Sequence, residues 1–475
     1  MAQPRIVIIG AGPAGVRCAE TFVAAGLRPT IIDEGRRDGG QIYRRQPDNF
    51  SRSYPQLYGT EANRAQALHD CFDQLRDKVN YHPQTLAWNI SEGRVHLMHQ
   101  MQQMQQERAP RASALAYDIL VLCTGATDRL MPTPGWQYAG TYSLGAAQVA
   151  LKSQAVSVGR KVVFMGSGPL LYLVASQYSK AGANVAAVLD TSPFRLQWRA
   201  LPKLLARPGV LFKGLFLLNA IRRAGVDIQR GITPVQIEGT PESGVQGVRY
   251  RSADGREHAL SCDAVAMGYH LRAETQLADL ARCEFVFDEA SRQWLPRVDA
   301  DGRSSVPGVY LAGDGARIRG ADAAENAGRL AALAALADLR STSKSNQAAP
   351  VAVEQLAQLH QEQAAMEQFR LGLQQAFPWP AQQAASLPDS AIVCRCEGIT
   401  AGELREVVHH KGAQEANRAK AFSRVGMGRC QGRYCGHAGA EVIAAAIGCP
   451  VADVGRLRTQ APVKPLAFSI VEEPQ

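Results

Sequence analysis

No run of apolar residues in this 475-residue chain approaches the ~18 needed to cross a bilayer, which argues against an integral membrane segment. The first strand-like residues begin at Arg5, leaving no room ahead of them for a signal peptide. The expectation is cytoplasmic residence, with room for peripheral membrane association through the complex. A focused basic patch on a recognisable module, which nucleic-acid binding requires, is also missing. The formal net charge is +9, but the basic residues are spread out, with one denser stretch from Arg195 to Arg223. That stretch reads as a solvated face or a docking surface for an acidic partner. Ten cysteines in a chain without a secretory signature argue against a disulfide framework.

The chain does carry a strong glycine pattern at its start. Arg5-Ile-Val-Ile-Ile is followed by Gly10, Gly12 and Gly15 in G-x-G-x-x-G spacing, and Val16 to Ala25 has helical character. Such a turn needs Gly10 for the bend, Gly12 for close approach of a pyrophosphate and Gly15 for helix–strand packing. The helix N-terminus offers unpaired N–H groups and a positive dipole end to the phosphates. A second strand, Pro29 to Ile32, ends at Asp33, 23 residues after Gly10. An acidic residue roughly 20 positions on is expected to meet a ribose hydroxyl. Glu34 is the neighbouring candidate. Strand, turn, helix, strand and acid in this order predict a bound dinucleotide.

Later segments extend the pattern. Asp38-Gly39-Gly40-Gln41-Ile42-Tyr43 forms a loop whose glycines permit close backbone approach. Tyr117 to Cys123 reads as a buried strand ending in Thr124-Gly125, before the Pro132-Thr-Pro-Gly135 turn. Val306 to Leu311 is another short strand, ending in Gly313-Asp314 before a helical stretch from Ala323 to Leu339. Gly10 paired with Asp314 points to FAD rather than a plain NAD site. Asp314 is expected on the ribityl chain, and the helix after it aims its N-terminus at the flavin's carbonyl edge.

A second strand–turn–helix starts at Lys161 and carries Gly166 and Gly168, but Leu171 stands at the third glycine position. The fold unit is expected there; occupancy by a nucleotide stays open. Redox-active cysteines are absent where a disulfide reductase needs them: no pair follows Gly40, and none lies from Gly166 to Leu189. Pro202 to Ala224 is expected to be helical, and Val248 to Tyr250 with Ala259 to Ala266 to form a hairpin. His99 to Ser113 is polar and reads as a loop, as does Arg340 to Pro350.

The last part of the chain holds Cys394-Arg-Cys396-Glu, then 33 intervening residues, then Cys430-Gln-Gly-Arg-Tyr-Cys435. Four thiolates from two loops suit zinc or an iron–sulfur cluster. C-x-C is unusual for zinc, and the glycines near Cys430 and Cys435 let several N–H groups face inorganic sulfide. Arg395, Arg429 and Arg433 are expected to offset the negative charge of a four-thiolate cluster. A [2Fe–2S] cluster is favoured on those grounds, and a structural zinc is the alternative. Thr400 and Glu403 form a capping box for a helix from Ala401 to His409.

With these residues in view, the chain resembles the FAD/[2Fe–2S] subunits of heteromeric amino-acid dehydrogenases and oxidases. That family includes the α subunits of D-hydroxyproline and L-proline dehydrogenases, the A subunits of opine oxidases and the B subunits of hydrogen cyanide synthases. Its members with this layout end in a bacterioferritin-associated-ferredoxin-like domain. The resemblance spans nearly the whole chain and includes Leu171. Cys430-x4-Cys435 also differs from the C-x2-C of assimilatory nitrite reductases. The resemblance implies an α/β fold with two Rossmann-like domains of flavoprotein-disulfide-reductase type and a small helical [2Fe–2S] domain. The expected plan is 1–140 and 286–345 for FAD, 141–285 for the second Rossmann-like unit, 346–390 as a helical linker and 391–475 for the cluster.

The resemblance further implies that Gly10, Gly12, Gly15, Asp33, Glu34, Gly40, Gln41, Thr124, Gly125, Gly313 and Asp314 hold FAD. Cys394, Cys396, Cys430 and Cys435 would hold the cluster. A flavoprotein, amino-acid-oxidase-like β subunit would oxidise the amine, with FMN at the subunit interface in some members and a small γ subunit in others. Substrate identity is then set by the partner. The competing function is a stand-alone NAD(P)H-dependent ferredoxin-type reductase.

Overall fold

Ile6–Ile9, four consecutive apolar residues, forms a strand buried along its whole length, as the middle of a helix-covered parallel sheet requires. Thr30–Ile32 and Ile119–Leu122 flank it in parallel. Asn80–His82 extends one edge and Val309–Leu311 the other, giving a five-stranded sheet whose last strand comes from far along the chain. The computed structural model describes residues 3–47, 52–99, 111–342, 353–466 and 471–472.

Helices Pro13–Ala24 and Ala321–Thr342 cover one face of this sheet. They sit so close that a Cβ on Gly328 would fall 2.0 Å from the Ala14 carbonyl oxygen. An antiparallel meander, Thr85–Ser91, Arg94–His99 and Arg111–Ala116, contributes Ala87, Ile90, Val95 and Leu97 to the other face. The Gln-rich loop expected between the last two strands falls mostly at 100–110, outside the described residues.

A second parallel sheet has the order Asp227–Arg230, Val185–Asp190, Val162–Ser167, Ala264–Tyr269, Thr141–Ser143. Beside it lie three antiparallel strands, Thr233–Thr240, Gly244–Arg251 and Glu257–Ser261. The expected hairpin arm Ala259 to Ala266 is therefore two strands in different sheets. Asp263 explains the break: its carboxylate accepts from the N–H groups of Arg160 and Lys161 and turns the chain inward. The expected helix Pro202 to Ala224 is likewise split, into Phe194–Leu204 and Pro208–Arg223. Pro208 lacks an N–H and suits the first turn of a new helix.

The segment read as a linker is packed rather than free. Helix Val353–Ala376 leads into Trp379, which inserts into the second sheet's core beneath the Arg129 guanidinium, 3.9 Å from the ring centroid. Residues 343–352, which hold part of the expected linker, lie outside the described residues. The C-terminal domain then pairs Ile392–Cys394 with Ile399–Thr400 and adds helices Ala401–Lys411, Ala416–Ser423 and Gly436–Ile447. The Thr400–Glu403 capping box is present.

Candidate cofactor sites

The three glycines of the first turn perform different tasks. A Cβ on Gly10, at φ +107°, would lie 2.3 Å from the Cys123 carbonyl oxygen, and one on Gly15 only 1.8 Å from the Gly10 oxygen. Those two positions are closed by the protein itself. Gly12 is different: the nearest atom to its Cβ position is the Gly40 Cα at 3.7 Å. It heads helix Pro13–Ala24 and leaves its side-chain direction open, as backbone approach to a pyrophosphate demands. Gly12→Val is thus expected to fold normally yet lose FAD affinity by about 10–100-fold, the ~1–3 kcal/mol that overfilling costs. Flavin retention through gel filtration and isothermal titration check this.

Asp33 is partly buried and closes the turn. Its carboxylate accepts from the N–H groups of Ala11 at 2.5 Å and Gly35 at 2.6 Å. Burial pushes its pKa up, and the two N–H donors pull the other way. Glu34, half-exposed, pairs with Lys464 instead. Gly39 donates to the Ala11 carbonyl at 2.8 Å, and Gly40, at φ +64°, lies over Gly12. Gln41 is exposed and accepts from Arg44 at 2.6 Å, so it faces away from the turn's interior network.

The opposite edge of the cradle is built by Gly313 and Asp314. Gly313, at φ +71°, packs on Ala14, where a Cβ would meet its methyl at 2.9 Å. Asp314 Oδ1 accepts from the N–H groups of Arg319 at 2.9 Å and Gly320 at 3.1 Å, just ahead of helix Ala321–Thr342. Thr124 and Gly125 are engaged by an unforeseen segment. The Thr124 hydroxyl donates to the Glu274 carbonyl at 2.6 Å, and the Glu274 N–H donates to the Gly125 carbonyl at 2.9 Å.

The four C-terminal cysteines line one cavity of about 350 Å³, together with Arg395 and Arg429. Cys394 and Cys435 are buried, Cys430 is partly buried and Cys396 is exposed. Hydrogen bonds from the Cys435 thiol, then from the backbone N–H groups of Gly426 and Glu397, lower the pKa of Cys394. Cys430 is lowered by Cys435 and by the N–H groups of Tyr434 and Gly432, whereas Cys435, the shared donor, is raised. Backbone donors aimed at sulfur are what a thiolate-ligated cluster needs. Four thiols from two loops, lining one cavity and met by backbone N–H groups, fit a thiolate-ligated cluster.

Arg433 departs from expectation. It does not face the cavity; it is buried against Glu274 at 2.8 Å and donates to the carbonyls of Cys430 at 3.2 Å and Val463 at 2.8 Å. Arg272 approaches the same carboxylate at 3.4 Å. Burial alone would raise Glu274, but Arg272 and Arg433 outweigh it and hold the carboxyl below its usual range. Gln276 adds a bond to the Gln431 carbonyl at 2.8 Å. Residues Thr124-Gly125, at the cradle, are thereby joined through Glu274 and Arg433 to the loop bearing Cys430.

In the second Rossmann-like unit, the acid at the strand end is already occupied. Asp190 is fully buried and accepts from the Tyr172 hydroxyl and, at 2.8 Å, from the Ser192 N–H. A Cβ on Gly168 would meet the His270 ring at 3.3 Å, and His270 Nε2 hydrogen-bonds the Phe377 carbonyl at 2.6 Å. Leu171 is buried in the core rather than facing the turn.

Comparison with known proteins places the chain in a family. Residues 4–331 match the family described as pyridine nucleotide-disulphide oxidoreductase, and residues 392–445 match the BFD-like [2Fe-2S] binding domain. The opine oxidase A subunit from Agrobacterium tumefaciens (strain Ach5) is 37% identical, over 98% of this chain and 90% of that protein. The chain belongs to the family of opine oxidase A subunits. Hydrogen cyanide synthase subunit HcnB from Pseudomonas aeruginosa is 30% identical over 98% of this chain and 97% of its own length. The structure of L-proline dehydrogenase from P. horikoshii shares the fold, with a TM-score of 0.66 at 18% identity, covering 98% of this chain and 79% of that one.

As a member of the opine oxidase A family, the chain is an FAD-dependent oxidoreductase with a [2Fe–2S] domain. Two features of its sites are not legible in the sequence. Glu274 carries no motif. Trp136 lines the cysteine cavity, donates its indole N–H to the Ile392 carbonyl at 2.6 Å and lies under Arg395. The turn Pro132-Thr-Pro-Gly135 just before it is its one local signal.

Proposed function

We propose that this chain is the electron-transfer subunit of a heteromeric complex that oxidises an amino acid, imino acid or amine of the D-hydroxyproline/proline, opine or glycine class. Substrate oxidation belongs to a flavoprotein partner, with FMN at the interface and a small third component. FAD exchanges electrons in pairs and a [2Fe–2S] cluster one at a time, so one chain holding both converts between the two modes.

The chain's own residues divide that task. Gly12 with the helix N-terminus behind it receives the pyrophosphate, Asp33 braces the turn, and Asp314 stands at the ribityl end. Cys394, Cys396, Cys430 and Cys435 ligate the cluster, with Arg395 and Arg429 beside them. The observation that supports the reading is the partly buried Thr124–Glu274–Arg433–Cys430 connection, which runs from the proposed FAD cradle to the loop bearing Cys430. The pairing of Val309–Leu311 with Ile119–Leu122 supports assigning 1–140 and 286–345 to one FAD unit. Segments 141–285 and 391–475 then form the second Rossmann-like unit and the cluster domain.

The occupied Asp190 and the His270–Phe377 contact weigh against a pyridine-nucleotide reductase. NADH and NADPH at millimolar concentration are expected to leave the flavin oxidised over minutes, as followed by its visible absorbance. Rapid bleaching would favour the reductase. The functional test is reconstitution: the isolated chain turns over no amine, and the complex purified from the native host does. Robust turnover of D-hydroxyproline, an opine or glycine by the isolated chain would refute the proposal.

A further inference from the structure

The two consecutive helices Phe194–Leu204 and Pro208–Arg223 have an unusual composition for a protein surface. From Thr191 to Val226 there is no aspartate or glutamate, while Arg195, Arg199, Lys203, Arg207, Lys213, Arg222 and Arg223 are all basic. The second helix is apolar along most of its length, yet among its 16 residues only Ile221 is buried. Phe212 is 67% exposed, with Leu215 and Phe216 close behind; on the first helix Trp198 is 64% exposed and Phe194 half-exposed. The inner side of the first helix is accounted for, because Ala200 and Leu204 pack against Phe369 and Ala376. The outer side has no such cover among the described residues.

A helix apolar on its exposed side is anomalous for a surface facing only water. Two of the cations, Arg207 and Lys213, are paired with Asp322 and Glu61 and fasten the second helix to the first Rossmann-like unit. The remaining five are exposed, and among the described residues none of them makes an ion pair. Lys180 and Arg230 approach the rings of Phe216 and Phe194, adding further positive charge.

We infer that these two helices lie on an anionic lipid bilayer, with Trp198, Phe212, Leu215 and Phe216 entering the headgroup boundary and the arginines and lysines meeting lipid phosphates. The combination favours lipid over a protein partner. Protein interfaces also use Trp, Phe and Arg but deplete charge at their core. Here the five cations unpaired among the described residues accompany the apolar residues, with no acidic residue from Thr191 to Val226. That is the combination of Trp, Phe and Leu with a face rich in Lys and Arg that interfacial helices show. Long basic side chains reach outward to phosphates while their stems cover apolar surface. The fastening through Arg207 and Lys213 would hold the FAD-binding unit close to the membrane plane.

The test is co-sedimentation of the full holoprotein with vesicles of phosphatidylcholine alone or with about one third phosphatidylglycerol. Binding is expected only with the anionic vesicles, and it should weaken at least tenfold when salt rises to about 0.5 M. Trp198→Ser/Phe212→Ser and Arg199→Glu/Lys203→Glu should each weaken binding at least tenfold while leaving the flavin and iron–sulfur absorbance unchanged. The charge-reversal pair alters exposed side chains only, so a folding failure in the first variant would not obscure the result. Absence of binding to anionic vesicles, or full binding by the charge-reversal variant, would overturn the inference. So would loss of a co-purified polypeptide from these variants with vesicle binding unchanged, which would identify the surface as a protein interface.

Discussion

Cys430→Ser is expected to yield a folded yellow protein that retains FAD and loses its iron and acid-labile sulfide. Cys430 lines the cavity with the other three cysteines, and hydrogen bonds from the Cys435 thiol and from the N–H groups of Tyr434 and Gly432 lower its pKa. A serine hydroxyl at that position offers iron a far poorer donor, and ligand-sphere changes alone alter affinity by about 10–100-fold. The dinucleotide turn stands on a separate sheet, closed by Cys123, Gly10 and Gly15, and does not depend on Cys430. Iron, sulfide and flavin analysis of one preparation reads all three outcomes. Loss of both cofactors together would mean that the two sites are not independent units.

Arg433→Met carries the second large effect. The Arg433 and Glu274 side chains are 9% and 14% exposed, so removing the cation strands a buried carboxylate against Arg272 alone. Breaking a buried pair in this way costs about 3–5 kcal/mol, whereas replacing both partners with apolar residues is often nearly neutral. The single variant should therefore lower the unfolding temperature and make the C-terminal domain more sensitive to protease. Glu274→Leu/Arg433→Met should not recover that loss, because the buried Arg272 then loses its carboxylate; removing the whole triad in Arg272→Met/Glu274→Leu/Arg433→Met should recover most of it. Flash reduction of the flavin should be followed by markedly slower appearance of the reduced-cluster EPR signal in the single variant, even with full iron content. Unchanged stability and unchanged transfer in Arg433→Met would show that the connection carries neither.

The two cofactor signatures are readable in sequence for a physical reason: each is local. Gly10, Gly12, Gly15 and Asp33 act within one strand–turn–helix–strand unit, and a turn of that kind admits few residue types at those positions. The cysteines announce themselves by chemistry and spacing, and the match to opine oxidase A subunits bears out the resemblance drawn from them. What cannot be read is long-range. Thr124 meets Glu274 across 150 positions and Glu274 meets Arg433 across 159, with no periodicity or motif to link them. Sequence neighbours put Arg433 beside the cluster; burial turns it to Glu274 instead. Gln41 illustrates the same limit, since its loop is recognisable but its side chain faces solvent and Arg44. The break at Pro208 and the sheet switch at Asp263 are decided by a missing N–H and by a carboxylate cap, both invisible to a count of apolar residues.

The most direct test of a chain that joins paired and single-electron chemistry is cofactor analysis of the purified holoprotein combined with stepwise reduction under EPR. The expected result is one flavin as FAD, iron and acid-labile sulfide in equal amounts, and a cluster signal that appears as electrons are added and vanishes in Cys430→Ser. Zinc in place of iron and sulfide, or a colourless protein, would contradict it.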